Sequence, residues 1–340
     1  MTKYPSIVYL RLLQECNARC VMCDSYKQSR EHADFNYIKS LIDEFDALGV
    51  SEVRFTGGEA FIYKPIRKLL SYITDKRPNF SFITNGAYLT KFCDEIVESK
   101  VGKIVCSVDS PYAEIHNSVR KTRNLLESAS AGIKLIQRRS YEKNKSLKFV
   151  VNSVVSSSNY YHLRDFLPFL QDHNVNYWNL IPIHGEQPIN MTQAHIDVAM
   201  KEIDFILNKI ERLNLPLDLN INDPKDFFAT AVHGTKPAEL THGVNQCHVL
   251  NHVAFIDAVN GKLTGCNDLM YSGFDEIIAT KIHGKTFEQV WCDPDYQAIR
   301  KDFTCKALNK CDRCEPTNIK LNTHLHKVGP DSQLNIPTWF

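Results

Sequence analysis

Three cysteines, Cys16, Cys20 and Cys23, fall within eight residues in the run Cys16-Asn17-Ala18-Arg19-Cys20-Val21-Met22-Cys23. Thiolates this close together suit a cubane iron-sulfur cluster, which normally takes four cysteine ligands. A trio leaves one iron open to bind something else. Zinc is the competing chemistry, but its sites are usually built from C-x2-C pairs, and this run offers no obvious fourth ligand. Buried structural cysteine is the remaining alternative, and three in one short loop do not fit it.

The elements that must position these thiols are legible in the hydrophobic pattern. From Ser6 to Ile183, short β-branched runs alternate with amphipathic stretches, as in repeated βα units around a mostly parallel sheet. The pattern predicts strands at Ile7 to Leu12, Glu52 to Thr56, Ser81 to Thr84, Lys103 to Val108, Lys148 to Val155 and Asn176 to Ile181. Helices are expected at Tyr37 to Leu48, Pro65 to Asp75, Lys91 to Ser99, Lys121 to Gln137 and Asn159 to His173. Active sites of parallel barrels form where strand C-termini meet the βα loops. The polar motifs fall there: the cysteine run after the first strand, Thr56-Gly57-Gly58-Glu59 after the second, Thr84-Asn85-Gly86 after the third and Ser107-Val108-Asp109-Ser110 at the end of the fourth.

A longer helical stretch, Met191 to Leu213, leads into a region of different composition, where Cys247, Cys266, Cys305, Cys311 and Cys314 are separated by turns such as Val259-Asn260-Gly261. From Glu315 onward the chain is polar with scattered apolar residues and carries no assignable pattern.

Composition narrows the function classes. With 340 residues and 43% apolar side chains the chain can bury a large core, and its size calls for one main domain and a smaller appendage. Forty basic against 39 acidic residues give a net charge of +1, so no global field points to nucleic acid or an anionic membrane. No segment is apolar enough to span a bilayer, and the N-terminus has no signal-peptide pattern. A cytoplasmic protein is expected, and its eleven cysteines read as metal or redox chemistry rather than disulfides.

The C-x3-C-x2-C spacing, followed at the expected order by Gly57-Gly58-Glu59, resembles the signature of the radical S-adenosylmethionine (SAM) superfamily. The resemblance implies an α/β fold, a partial (β/α)6 TIM-like barrel, with a [4Fe-4S] cluster on Cys16, Cys20 and Cys23 whose open iron chelates SAM. Reduction of SAM then yields a 5′-deoxyadenosyl radical that takes a hydrogen atom from the substrate. Under the same resemblance Gly57 and Gly58 let the backbone approach the ligand, and Glu59 receives the methionine ammonium. Met22 lends its backbone to the adenine edge, Ser107 and Asp109 contact the ribose or methionine part, and Arg120 meets the SAM carboxylate. Asn152 and Asn179, on the fifth and sixth strands, are further SAM-facing candidates. Ordinary structural roles compete at each of these positions: turn capping for Ser107 and Asp109, a solvated surface for Arg120, outward-turned strand positions for the two asparagines.

Cys247, Cys266, Cys311 and Cys314 resemble the Twitch module, the shortened SPASM domain, which holds one auxiliary [4Fe-4S] cluster; a zinc-ribbon site is the alternative for the same four cysteines. The chain then divides into a core barrel at 1–215, the auxiliary module at 216–320 and a tail at 321–340. A saturated cluster implies electron transfer, hence a redox-coupled modification. The combination resembles the dehydrogenases and epimerases acting on sugars and aminocyclitols in antibiotic biosynthesis, with Cys292 and Cys305 as candidate hydrogen donors. Maturation of a ribosomally made peptide is the second enzymatic expectation. With the first strand beginning by about Ser6, no leader-binding domain is expected ahead of the barrel, which lowers this expectation without removing it, since a separate protein can bind the leader. A non-catalytic iron-sulfur or zinc scaffold is the alternative of another class. The partners implied are a small molecule or peptide and an external electron donor such as flavodoxin or ferredoxin.

Overall fold

A computed structural model describes residues 3–183, 188–225, 227, 246–266, 280–303 and 314–329. Strands β1 (Ile7–Arg11), β2 (Glu52–Thr56), β3 (Asn79–Thr84), β4 (Val101–Ser107), β5 (Lys148–Val155) and β6 (Tyr177–Pro182) lie side by side in chain order, all parallel. Helices α1 (Phe35–Leu48), α2 (Ile66–Tyr72), α3 (Cys93–Glu98), α4 (Ala113–Arg120), α5 (Leu125–Glu142) and α6 (Phe166–Asp172) fall between them, and α7 (Gln193–Leu213) follows. The six expected strands stand within two residues of their sequence positions.

Alternation along each strand separates two faces. Val8, Leu10, Val53, Phe55, Phe80, Phe82, Ile104 and Val151 enter one core together with the helices. The opposite face carries Tyr9, Arg54, Ile83, Lys103, Val105, Val150, Asn152, Asn179 and Ile181, which all line a single cavity of about 110 Å³. Six flat strands would spread over roughly 24 Å at the usual spacing, so a cavity this small that touches all six requires the sheet to curl around it.

Beyond β6 the sheet continues at both edges. β7 (Asp218–Leu219) adds to β6 in parallel, while β8 (Val253–Asp257) pairs in parallel with β1, followed by antiparallel β9 (Lys262–Thr264) and β10 (Thr280–Lys281). The expected hairpin at Val259-Asn260-Gly261 is therefore β8–β9, with Asp257 Oδ1 accepting the Val259 and Asn260 amides. Its parallel docking on β1 joins the C-terminal cysteine region to the core sheet. The stretch after Glu315 contains a helix, Pro316–Val328, whose Leu321 and Leu325, one turn apart, pack on Ile7, Tyr9 and Phe255 of the inner face.

Two expected helices differ in their bounds. The helix expected from Lys121 to Gln137 starts only at Leu125 and runs to Glu142, because α4 ends at Arg120 with Lys121 as its left-handed cap (φ 51°). The Asn117 side chain makes the break, accepting the Leu125 and Leu126 amides that open α5. The expected Asn159 to His173 helix likewise shortens to Phe166–Asp172, preceded by a 3-10 turn at Leu163–Asp165.

Candidate active site

The cysteine loop leaves the buried β1 at the rim and is held by α4. Arg19 N–H donates to the Arg120 carbonyl at 3.3 Å and Val21 N–H to the Val119 carbonyl at 2.9 Å, engaging carbonyls that a helix end leaves without intrahelical partners. Cys20, between these two anchors, is 9% exposed, Cys16 is half-buried and Cys23 exposed; all three are free thiols. Met22 lies half-buried in the turn between Cys20 and Cys23. Cys16 Sγ accepts from the Ala18 amide at 3.4 Å and from Asn85 Nδ2 at 4.0 Å, and Cys23 Sγ from the Ser25 amide at 3.4 Å.

Burial pushes the Cys16 thiol up to about 12, against the pull of the Ala18 amide, and raises Cys20 against the pull of Arg120. Without a cation these two stay protonated at neutral pH. A bound metal deprotonates a thiol outright, and the N–H donors already aimed at two of the sulfurs favour the thiolate form. This donor set fits an iron-sulfur cluster. Among the described residues, no three His, Cys, Asp or Glu side chains converge on a point for one metal ion, so the fit rests on the sulfurs and their donors.

Gly57 and Gly58 make their close approach to the chain itself. Gly58 N–H donates to the Leu13 carbonyl and Glu59 N–H to that of Glu15, and a Cβ on Gly58 would stand 2.1 Å from Glu15 O. The glycines thus admit the segment that leads into the cysteine loop. Glu59 is held by three donors of the chain. Its carboxylate is 1% exposed and accepts from Thr84 Oγ1 at 2.7 Å, the Asn85 amide at 2.7 Å and the Phe61 amide at 3.0 Å. Burial raises its pKa against these three donors. It fixes Asn85, which reaches Asn17 Oδ1 at 2.8 Å as well as Cys16.

Asp109 and Arg120, expected on SAM separately, are bonded to each other. Arg120 Nε and Nη2 reach Asp109 Oδ2 and Oδ1 at 2.7 and 3.0 Å, with Asp109 1% exposed. Asp109 Oδ1 also accepts the Val154 amide. Arg120 is neither solvated nor open to a carboxylate on this face of the pair. Its pKa is raised, because the adjacent Asp109 outweighs the cost of burial.

His116, which the sequence did not single out, completes this group: its Nδ1 accepts the Asp109 amide at 3.1 Å while the ring is fully buried. Burial, aided by Arg120, holds it down to about 4 from its ordinary 6.5. The folded chain therefore keeps His116 neutral where the unfolded chain takes up a proton, so its contribution is complete above pH 6.5 and is lost as pH falls towards 4. Urea titrations should show wild type losing about 2 kcal/mol between pH 7 and pH 5 through this group. His116→Asn, which keeps an acceptor for the Asp109 amide, should flatten that limb; an unchanged pH slope would refute the assignment.

Ser107, Asn152 and Asn179 occupy one row across β4, β5 and β6 by register. Asn179 Nδ2 donates to Asn152 Oδ1 at 2.9 Å, while the buried Asn179 Oδ1 has no hydrogen-bond partner among the described residues. Both asparagines line the cavity, so neither is turned outward. Deeper in the fold, Arg54 and Lys103 both bond Glu52. Burial alone would raise Glu52, but these two cations bring it down to about 2.

The helix Pro316–Val328 gathers the described C-terminal cysteines. Cys314 stands two residues before it, Asn318 Nδ2 donates to Cys266 Sγ at 3.9 Å, and Asn322 grips both sides of Cys247 through the Gln246 carbonyl and the His248 amide. Cys311 and Cys305 lie outside the described residues. Cys292, a candidate hydrogen donor, caps the helix Phe287–Trp291 and packs on the helix-side core rather than on the cavity face. Spacing alone cannot tell these two faces apart. Cys93 and Cys106 are buried in α3 and β4.

The fold and this rim define an α/β protein with a thiol-bearing site at the ends of its parallel strands. Residues 11–155 of the chain match the Radical SAM superfamily, a family that implies SAM binding at a [4Fe-4S] cluster. It is 28% identical to GTP 3′,8-cyclase of Lactiplantibacillus plantarum over 180 residues, 50% of this chain and 52% of that protein. It is 22% identical to mycofactocin maturase MftC of Mycobacterium tuberculosis over an alignment covering 97% of this chain and 82% of the relative. The chain spans about half the length of several curated relatives it matches. Streptococcus suis SuiB bound to S-adenosylmethionine shares the fold with a TM-score of 0.69 at 18% identity, covering 93% of this chain and 72% of SuiB. SuiB is also known bound to precursor peptide SuiA. Among the described residues no helix is long and apolar enough to cross a membrane.

Proposed function

We propose that this protein is a radical SAM enzyme that modifies a ribosomally made peptide in a redox-coupled step. Cys16, Cys20 and Cys23 are assigned to the SAM-binding cluster, Cys247, Cys266, Cys311 and Cys314 to an auxiliary one, and Ser107, Asn152 and Asn179 to SAM or substrate. When bound, the first cluster and SAM would supply a radical able to abstract hydrogen. The residues of the chain then have three tasks: α4 holds the thiol loop, Asn85 and the loop amides orient its sulfurs, and the inner face receives the group to be modified.

The cavity carries the peptide reading. At about 110 Å³ it is well below the several hundred Å³ that a drug-sized ligand fills, and its polar wall includes Asn152, Asn179, Lys103 and Glu315. Such a space suits one side chain of a larger molecule whose remainder stays outside. The similarity to a maturase along nearly the whole chain, and a fold shared with SuiB, add to it. An aminocyclitol is the second reading, favoured by the carboxamide pair Asn152–Asn179, which matches hydroxyl groups. An external donor of the flavodoxin or ferredoxin type belongs to either.

Reconstituted protein under dithionite should turn SAM into 5′-deoxyadenosine, and a peptide encoded beside the gene should lose two mass units. Cys314→Ala should still cleave SAM without forming product. Turnover of an aminocyclitol with no change in the peptide would reject the peptide reading; normal product from Cys314→Ala would reject the redox role of the second cysteine set.

A further inference from the structure

We propose that Asn318 is a positioning residue that sets the reduction potential of the auxiliary cluster through its hydrogen bond to Cys266. The inference rests on the assignment of Cys247, Cys266, Cys311 and Cys314 to such a cluster.

Asparagine is a poor helix former, because its side chain competes for backbone groups, and a buried carboxamide is costly unless its hydrogen bonds are met. The helix Pro316–Val328 nevertheless buries two, Asn318 and Asn322, one turn apart among the apolar Ile319, Leu321 and Leu325. Asn322 is explained by its backbone bonds on either side of Cys247, at 2.7 and 3.1 Å. Asn318, 4% exposed, aims Nδ2 at the Cys266 sulfur at 3.9 Å. It also lines the inner cavity together with Asn179, whose buried Oδ1 has no donor among the described residues. One carboxamide thus stands at both the cysteine set and the space assigned to substrate.

Adding one electron, with no proton, to an iron-sulfur cluster increases the negative charge carried by its ligand sulfurs. An N–H dipole aimed at one of them favours the reduced state and raises the potential. The loop amides and Asn85 serve the first cysteine set in the same way, and they come from different elements. The two sets can therefore be tuned separately.

The test uses the full chain reconstituted with iron and sulfide and titrated with dithionite, the two reduced clusters being followed by electron paramagnetic resonance. The signal perturbed by added SAM identifies the first cluster. Asn318→Leu should move the other potential to more negative values and leave the SAM-sensitive one in place. Asn318→Asp, of the same shape but without the donor, should move it further in that direction, whereas Asn318→Gln, which keeps an N–H, should restore part of it. An auxiliary potential unchanged in a fully loaded Asn318→Leu or Asn318→Asp protein would overturn the inference. A wild-type chain loading only one cluster would instead overturn the auxiliary-cluster assignment beneath it.

Discussion

Cys20→Ala is expected to abolish SAM cleavage and remove about one cluster's worth of iron, while Cys93→Ala retains both. Cys20 is the most deeply placed of the three thiols, fixed between the two amides that bind the end of α4. Losing any one of three ligands leaves a cubane with two iron sites unligated by protein. The loop itself should survive, since Arg19 and Val21 donate backbone bonds that do not depend on the side chain between them. Cys93 is a fair control because it is buried in α3 on the helix-side core. Iron and sulfide analysis, the visible spectrum and 5′-deoxyadenosine formation under dithionite check the contrast. A Cys20→Ala protein that still cleaved SAM would remove the trio from the mechanism, and a Cys93→Ala protein that did not would show that the loss reports folding rather than ligation.

What could be read from the sequence follows the range of the interactions involved. The cysteine run and Gly57-Gly58-Glu59 are local, and each stands where a parallel strand ends. The strands were equally plain, because those buried on both faces leave continuous β-branched runs. The break between α4 and α5 was not, since Lys121 takes a left-handed backbone without a glycine to announce it and the cap comes from Asn117 eight residues earlier. Pairing of β8 with β1 joins Ile7 to Val253, a contact that no local pattern encodes. The same holds for Glu59 and for Asp109 with Arg120: the residues stood out as polar groups at the rim, but only the fold shows that their charges are satisfied by the chain. Asn318 and Asn322 carried a usable signal, two asparagines at helical spacing just after Cys314, though it becomes meaningful only once the helix is seen to be buried.

Arg120→Met should destabilise the protein by about 3–5 kcal/mol, the cost of leaving a buried carboxylate unpaired, and should do so without touching a thiol. Asp109 cannot move to water: Val154 N–H holds its carboxylate, and Asn159 Nδ2 holds its carbonyl at 2.6 Å. Loss of the guanidinium also takes a cation from beside Cys20, whose thiol would then be raised further, so cluster loading should weaken alongside folding. Adding Asp109→Asn in the same chain removes the stranded charge and should recover much of the stability, because a buried pair replaced as a whole costs far less than one broken in half. Iron content should recover less, since the double variant still lacks the Arg120 cation beside Cys20. Urea unfolding of the two single variants, the double variant and wild type separates these effects in one cycle. If the double variant were no more stable than Arg120→Met alone, the pair would not be the strut that ties α4, and with it the thiol loop, to the end of β4.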